Sequence, residues 1–370
     1  MDLQDARYWH ALAMLRGVDR RSIAEAVKRA GGARELFESG AVVTERSGAW
    51  RLFGELAGYC DWERAEREVE LVRRAGVRVV TLLDDEYPPF LREIYDPPLL
   101  LYVRGGRLDP SALVVAVVGT RRPTHYGLSM AEGIASELGR AGVVVVSGMA
   151  RGCDSAAHRG ALAGGGRTVA VLGSGVDVVY PKENRRLYEE ICRGPGAVIS
   201  EFPMGSPPVP RGFLQRNRII SGMARGVVVV EAAARSGAMQ TARLALDAGR
   251  DVFAVPGRVT GGKSAGPHSL IKDGAALVEN GGDVLSAYGM DAAGDTARDG
   301  REAEPGKERE GGEAARVLAA LCDEPMHVDS IMEKTGIEVR RLSALLLEME
   351  LSGAIEQLPG KCFIRKVSSD

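Results

Sequence analysis

Aromatic residues are scarce in this 370-residue chain, at 5% of the sequence. Its five cysteines (Cys60, Cys153, Cys192, Cys322 and Cys362) are odd in number and far apart. No Cys-x-x-Cys pair or Cys/His cluster occurs, which argues against structural zinc and predicts reduced thiols. No apolar run approaches the roughly 18 residues that a membrane span needs, so no membrane partner is expected. The opening MDLQDARYWHALAML carries acids early and lacks the basic, apolar, small-residue order of a signal peptide. A cytoplasmic setting is the expectation. Strong net charge is missing too: the balance is -2, which by itself speaks against a nucleic-acid partner.

That average conceals a gradient. Between Ala112 and Arg225 stand 14 basic and 8 acidic residues, a net of +6, so the rest of the chain is acidic. Such asymmetry predicts a polyanionic partner for the centre. The stretch FLQRNRIISGMARGVVVVEA, Phe213 to Ala232, sets Arg216, Arg218 and Arg225 ahead of four valines, with no acid between Arg211 and Arg225. Like charges placed this closely repel one another unless an anion joins them.

Hydrophobic spacing divides the chain into four parts. Residues 1–75 read as short helices with helix-hairpin-helix character; Asp19 precedes RRSIAEAVKRAGG, which closes on two glycines. Residues 76–288 form the central domain. It begins with two apolar runs around a proline-rich crossing, read as two short strands against the edge of a larger sheet. Then LVVAVVG, VVVVSG, TVAVLGSG, GAVISEF, GVVVVEA and DVFAVPG alternate with helical segments. Continuous β-branched runs of this kind predict an α/β, Rossmann-like doubly wound parallel sheet, with ligands at the carboxyl ends of the strands. Residues 289–313 include a stretch from Asp291 with no Val, Ile, Leu or aromatic residue and read as a flexible linker. Residues 314–370 predict three helices and a hairpin, a winged helix, with Val339, Leu342, Leu346 and Met349 on one apolar stripe. From Ala314 to Arg365 this tail has 6 basic and 8 acidic residues, which favours protein contact or dimer support over DNA reading.

The strand ends carry the chemistry. VVGTRRPTHYG offers Gly119 for a tight turn, Arg121 and Arg122 at the mouth, and a helix start near Tyr126. SGMARGCDSAAHRGAL supplies the small residues Ser147 and Gly148. Its Asp154 and His158 stand four apart, and a capping Asp with a helix-surface His is preferred to a metal pair or part of a Ser/His/Asp triad because no third ligand or nucleophile elbow is near. LGSGVDVVYPKEN has Gly173 and Gly175 around a phosphate-sized loop, then Lys182 just before a helix at Asn184. FLQRNRIISGMA reads as a short helix whose start carries Arg216, Asn217 and Arg218, forks suited to phosphate. EAAARSGAMQTA places Ser236 and Gly237 ahead of another helix. GRVTGGKS, Gly257–Ser264, fits the P-loop pattern, but Gly266 and Pro267 are expected to break the helix that a P-loop requires.

Taken together, VVGTRRPTHYG, SGMARGCDSAAHRGAL, LGSGVDVVYPKEN, ISEFP, FLQRNRIISGMA, VVVVEAAARSGAMQTA and VFAVPG resemble, in order, the signature of the DNA-processing protein A family (DprA, also called Smf). The resemblance covers most of the chain. The N-terminal helices look like the family's sterile-alpha-motif-like domain and the tail like its winged helix. The resemblance implies a non-enzymatic protein that binds single-stranded DNA, forms a homodimer through the Rossmann domain and loads the recombinase RecA during natural transformation. It implies that the DNA-contacting arginine falls on Arg121 and the lysine on Lys182, and that Arg216–Arg218 line the same pocket. His268 departs from the Asn expected in the late glycine-rich loop. The expected nucleic-acid contacts are therefore Gly119, Arg121, Arg122, Ser147, Gly148, Gly173, Gly175, Lys182, Asn184, Arg216, Asn217, Arg218, Ser236 and Gly237. No catalytic residue, metal or cofactor is expected. The scarcity of aromatics predicts backbone contact over base stacking. The alternative is a phosphoribohydrolase-like enzyme with Glu231 as its carboxylate, though the usual PGGxGTxxE loop is absent.

Overall fold

A computed structural model of the chain describes residues 3–15, 17–39, 56, 58–59, 61–260, 262–290, 313–321 and 326–365. The expected linker lies outside the described residues except at its ends. Contacts divide the chain into two units: Met1–Pro123 with Gly127–Ala293, and Thr124–Tyr126 with Gly294–Asp370.

The first unit opens with helices Leu3–Met14, Arg20–Ala30, Ala33–Ser39 and Trp62–Arg74. Asp19 caps the second by accepting from Ser22 N at 3.2 Å, and Gly31, at φ 83°, ends it in the left-handed conformation that glycine tolerates. Leu12, Ile23, Val27 and Leu36 join the same buried cluster as Leu101 and Val171 of the sheet. The helices thus share a core with the sheet domain.

Nine strands form one sheet in the order β1-β2-β6-β5-β4-β3-β7-β8-β9. β1 (Arg78–Thr81) and β2 (Leu100–Gly105) are the two short strands expected at the edge; they pair antiparallel with each other, and β2 pairs antiparallel with β6 (Ala197–Ser200). The others, β3 (Val114–Val118), β4 (Val144–Ser147), β5 (Thr168–Leu172), β7 (Gly226–Val229), β8 (Asp251–Ala254) and β9 (Ala276–Leu277), are parallel, as is β6 with β5. Val115, Val117, Val145, Val171, Val227 and Val228 are all 0% exposed. Each such burial contributes about 1.5–3 kcal/mol, so a valine-rich strand with both faces covered is stable only inside such a sandwich. Chain order reverses between β3, which continues to β4 on one side, and β7 on its other. That switch point opens a crevice at the carboxyl ends.

The second unit contains helices Glu313–Ala320, Val328–Thr335 and Val339–Leu351, with β10 (Met326–His327), β11 (Ile355–Leu358) and β12 (Cys362–Arg365) in a three-stranded sheet. Its core holds Leu342, Leu345, Leu346 and Met349. Val339 is 54% exposed and lies outside the stripe expected of it. As the first helical residue it precedes the turns that face the core.

Candidate nucleic-acid interface

The β3 loop is laced to both neighbouring loops. Thr120 N donates to the Glu231 carbonyl at 2.7 Å, and the Thr120 carbonyl accepts from Cys153 N at 3.2 Å. A Cβ on Gly119 would meet Cys153 Sγ at 2.5 Å, so only glycine fits this crossing. Arg121 and Arg122 emerge exposed beyond it, and the helix starts at His125. The Arg121 guanidinium lies 5.3 Å above the Phe213 ring, whose centroid is 5.4 Å from that of Tyr180. The few aromatics of this region are therefore gathered into one ledge under a cation.

Ser147 turns inward. It is fully buried, and its hydroxyl donates to the Val117 carbonyl at 2.7 Å. Gly148 faces the Arg216 guanidinium, and a Cβ there would collide with Arg216 Nη1. The loop then needs two left-handed residues, Met149 at φ 58° and Gly152 at φ 79°. Helix Cys153–Ala163 begins with Gly152 at its cap, so Asp154 is not the cap residue. Its carboxylate instead reaches back to accept from Ala150 N at 3.3 Å. Nor is His158 on the helix surface: it is 0% exposed, with Nδ1 2.7 Å from Thr168 Oγ1. Thr168 spends its hydroxyl proton on the Val145 carbonyl, so His158 Nδ1 must donate. Burial pushes the His158 pKa down to about 3, which keeps the ring neutral.

Arg216 is the unusual residue of the site. It is only 4% exposed, and its Nε has no hydrogen-bond partner among the described residues. Burial lowers its pKa to about 10, partly offset by the Asp154 carboxylate, so it stays charged at neutral pH. Burial raises the pKa of Asp154 in turn, and Arg216 opposes that rise. A buried guanidinium with no hydrogen bond or ion pair among the described residues is poised for an anion.

The helix bearing Arg216 differs from expectation. It runs Pro210–Met223, with Pro210 in the first turn, so Arg216–Arg218 lie mid-helix and not at its start. The three side chains accordingly diverge. Asn217 Nδ2 donates to the Gly237 carbonyl at 3.4 Å. Arg218 Nη2 donates to both Glu201 oxygens, at 2.6 and 2.7 Å, and its Nε lies 3.3 Å from Asp96 Oδ2. Glu201 also pairs with Arg20 of the N-terminal helices. Arg218 thus ties elements together, while Arg216 faces Gly148.

The glycines of the β5 loop serve close packing: a Cβ on Gly173 would meet Phe213 Cδ1 at 2.8 Å, and one on Gly175 would meet Asp177 Oδ1 at 2.7 Å. Lys182 sits on a 3-10 turn, Lys182–Asn184, and is exposed. The turn is pinned by Asn184 Nδ2, which donates to the Met149 carbonyl and to Ser155 Oγ, both at 2.8 Å. Glu183 pairs with Arg151 at 2.5 Å. Asn184 therefore positions Lys182, its own amide already used. Ser236 accepts from Met239 N at 3.4 Å and caps helix Gly237–Asp247.

Two rival motifs have structural roles. Glu231 is 3% exposed, and its carboxylate lies 2.6 Å from where a Gly127 Cβ would sit. In GRVTGGKS the expectation of a broken helix fails: a helix does start, at Ala265, and Pro267 falls in its first turn, where its missing N–H costs no helical bond. The Lys263 carbonyl accepts from Ala232 N at 2.7 Å, and His268 Nε2 lies 2.9 Å from the Gly257 carbonyl, so His268 braces the loop. No group of three or more potential metal ligands occurs among the described residues.

Residues 78–289 match the family model described as DNA recombination-mediator protein A, and residues 301–361 match the DprA winged helix domain. The chain belongs to the DprA family. The Smf protein of Escherichia coli is 40% identical over 276 residues, 74% of each chain. The DNA processing protein DprA of Streptococcus pneumoniae is 46% identical over 212 residues, 56% of this chain and 73% of that one. The solved S. pneumoniae DprA aligns at a TM-score of 0.65 and 37% identity, covering 76% of this chain and 97% of that one. A DprA from Helicobacter pylori, solved to show its single-stranded DNA binding mode, aligns at 0.51 and 31%, covering 57% and 95%. A DprA fold with a C-terminal winged helix is thus what the sequence pattern led to. Sequence reading missed three features of this DprA chain: the buried Asp154 beside Arg216, the Arg121–Phe213–Tyr180 ledge, and Glu201 as a clamp. Each of these residues stands in one of the loop motifs, but their pairings join separate loops and leave no local signal.

Proposed function

We infer that this chain binds single-stranded DNA along the carboxyl edge of its parallel sheet and acts, without enzymatic chemistry, to protect the strand and load RecA onto it in the cytoplasm. The observation that carries the reading is Arg216, charged, buried and under-bonded, on a sheet edge whose neighbouring loops expose Arg121 and Lys182, neither of which has an ion-pair partner among the described residues. Family membership and the binding mode described for the H. pylori relative support it. Gly148 leaves the room that the Arg216 guanidinium occupies, and the Phe213–Tyr180 ledge offers a base a surface in addition to backbone contact. Glu231, packed at a helix start, favours the non-enzymatic reading over a phosphoribohydrolase. A homodimer fits β9, an exposed open edge of the sheet with Leu277 49% exposed.

The test is fluorescence anisotropy with labelled poly-dT over a salt series, with duplex as competitor. Binding should weaken steeply with salt as counterions are released. Arg121→Ala and Lys182→Ala should each weaken it and lower the salt slope by about 1. Equal affinity and slope in both variants would remove these residues from the interface. RecA filament assembly on the same oligonucleotide, with and without this protein, tests the loading step.

A further inference from the structure

Beside Lys182 the surface opens into a cavity of about 400 Å³. Three cations reach it: Arg104 from β2, Lys182 from the 3-10 turn, and Arg185 from the start of helix Arg185–Arg193. Two carboxylates, Asp177 and Glu189, stand among them. Both are already engaged. Asp177 accepts from Gly205 N through its two oxygens, at 2.9 and 3.1 Å. Glu189 is shared by Arg185 at 3.2 Å and Arg193 at 3.3 Å, so Arg185 can leave it without stranding the acid. Arg104 donates to the Tyr188 hydroxyl at 3.3 Å and lies 5.6 Å above that ring, with no carboxylate in ion-pair range among the described residues.

Three cations against two carboxylates leave a net charge of +1, matched to one phosphodiester. A triphosphate would meet two negative walls. The volume falls within the roughly 300–1,000 Å³ of small-ligand sites and is ample for one nucleotide. Val179 supplies an apolar wall, and the Arg104 guanidinium presents a plane of the kind that bases stack upon. We propose that this cavity holds one nucleotide of the bound strand, with its phosphate between Lys182 and Arg185 and its base against Val179 and Arg104. Lys182 is then shared between the edge of the sheet and this pocket, and it sets the direction in which the strand leaves. The inference rests on the single-stranded DNA reading and extends it.

The experiment is a length series of labelled dT oligonucleotides against the full chain and its Arg104→Ala/Arg185→Ala variant. Arg104 is exposed and the Arg185 side chain is 78% exposed, so the variant should fold, which circular dichroism checks. Wild type should gain affinity once the oligonucleotide is long enough to enter the cavity. The variant should bind the shortest oligonucleotides normally and lose that gain, roughly tenfold for one stacked, phosphate-held nucleotide. Lys182→Ala should weaken every length. A variant equal to wild type at all lengths overturns the pocket while leaving the DNA reading in place. Failure of wild type to bind any oligonucleotide at low salt overturns both. Loss of the length gain in the presence of millimolar dTMP, with short-oligonucleotide binding unaffected, confirms that the pocket takes a nucleotide; a gain untouched by dTMP and equally lost in a Lys182→Ala background overturns its separate existence.

Discussion

Arg216 and Arg218 share a type, a helix and a motif, yet the structure gives them opposite surroundings. Arg216 faces Gly148 with no hydrogen bond or ion pair among the described residues, whereas Arg218 is held by Glu201 and Asp96. Gly148→Ala should therefore push the Arg216 guanidinium aside and cost DNA affinity about 1.5–3 kcal/mol, the worth of a charge-assisted contact. Its thermal midpoint should stay near wild type; a variant that binds poly-dT normally would take Arg216 out of the pocket. Arg218→Ala should behave in the reverse manner. It strips the 5%-exposed Glu201 side chain of the partner that donates to both its oxygens, and breaking a buried pair costs about 3–5 kcal/mol. Urea unfolding should show that loss while the salt slope of DNA binding is unchanged. An unchanged urea midpoint would mean that Arg20 alone satisfies Glu201. The sequence RNR could not separate these roles, because a one-residue step rotates a side chain by about 100° around a helix, and the partners come from distant loops.

At the scale of elements, the sequence was most legible where one local rule decides the outcome. Asp19 before RRSIAEAV and the glycines after it delimit a helix, and the uniform valine runs require a parallel sheet covered on both faces. It was least legible where an end depends on tertiary contact: the helix of Arg216 starts at Pro210, and the helix after GRVTGGKS survives its proline. The docking of the N-terminal helices was not legible at all. It runs through His10, whose Nδ1 lies 3.1 Å from the Tyr102 hydroxyl of β2. Burial holds the His10 pKa down to about 4, so the folded ring is neutral while the unfolded one titrates near 6.5. The unfolded state then binds the extra proton between these values, and stability falls as pH drops below about 6.5. Lowering the pH from about 7.5 to 5 should cost about 2 kcal/mol through this residue. His10→Gln, which cannot protonate, should show a shallower pH dependence in urea unfolding; an identical slope would assign the loss to other groups.

For the whole molecule, one pocket per chain does not make a strand-handling protein; the spacing of pockets does. The carboxyl edge of the sheet carries the cations, while β9 leaves an open edge with Leu277 49% exposed. Leu246, 55% exposed, ends the helix that packs on β8, the neighbour of β9. Apolar side chains on an unpaired edge invite a second copy, and pairing there would join two pockets in one particle. Two linked pockets bind a long strand by avidity, since the second contact is made at high effective concentration. In size-exclusion chromatography with light scattering the wild type should run as a dimer and Leu277→Glu as a monomer. Its affinity for an oligonucleotide too short to span two pockets should equal that of wild type. Its affinity for a long one should fall by roughly 10²-fold or more, the lower end of such avidity gains. A monomer that keeps full affinity for long strands would show that each chain holds DNA by itself. An unchanged dimer would move the interface away from β9. The two outcomes separate because mass is read by scattering and avidity by the difference between short and long strands.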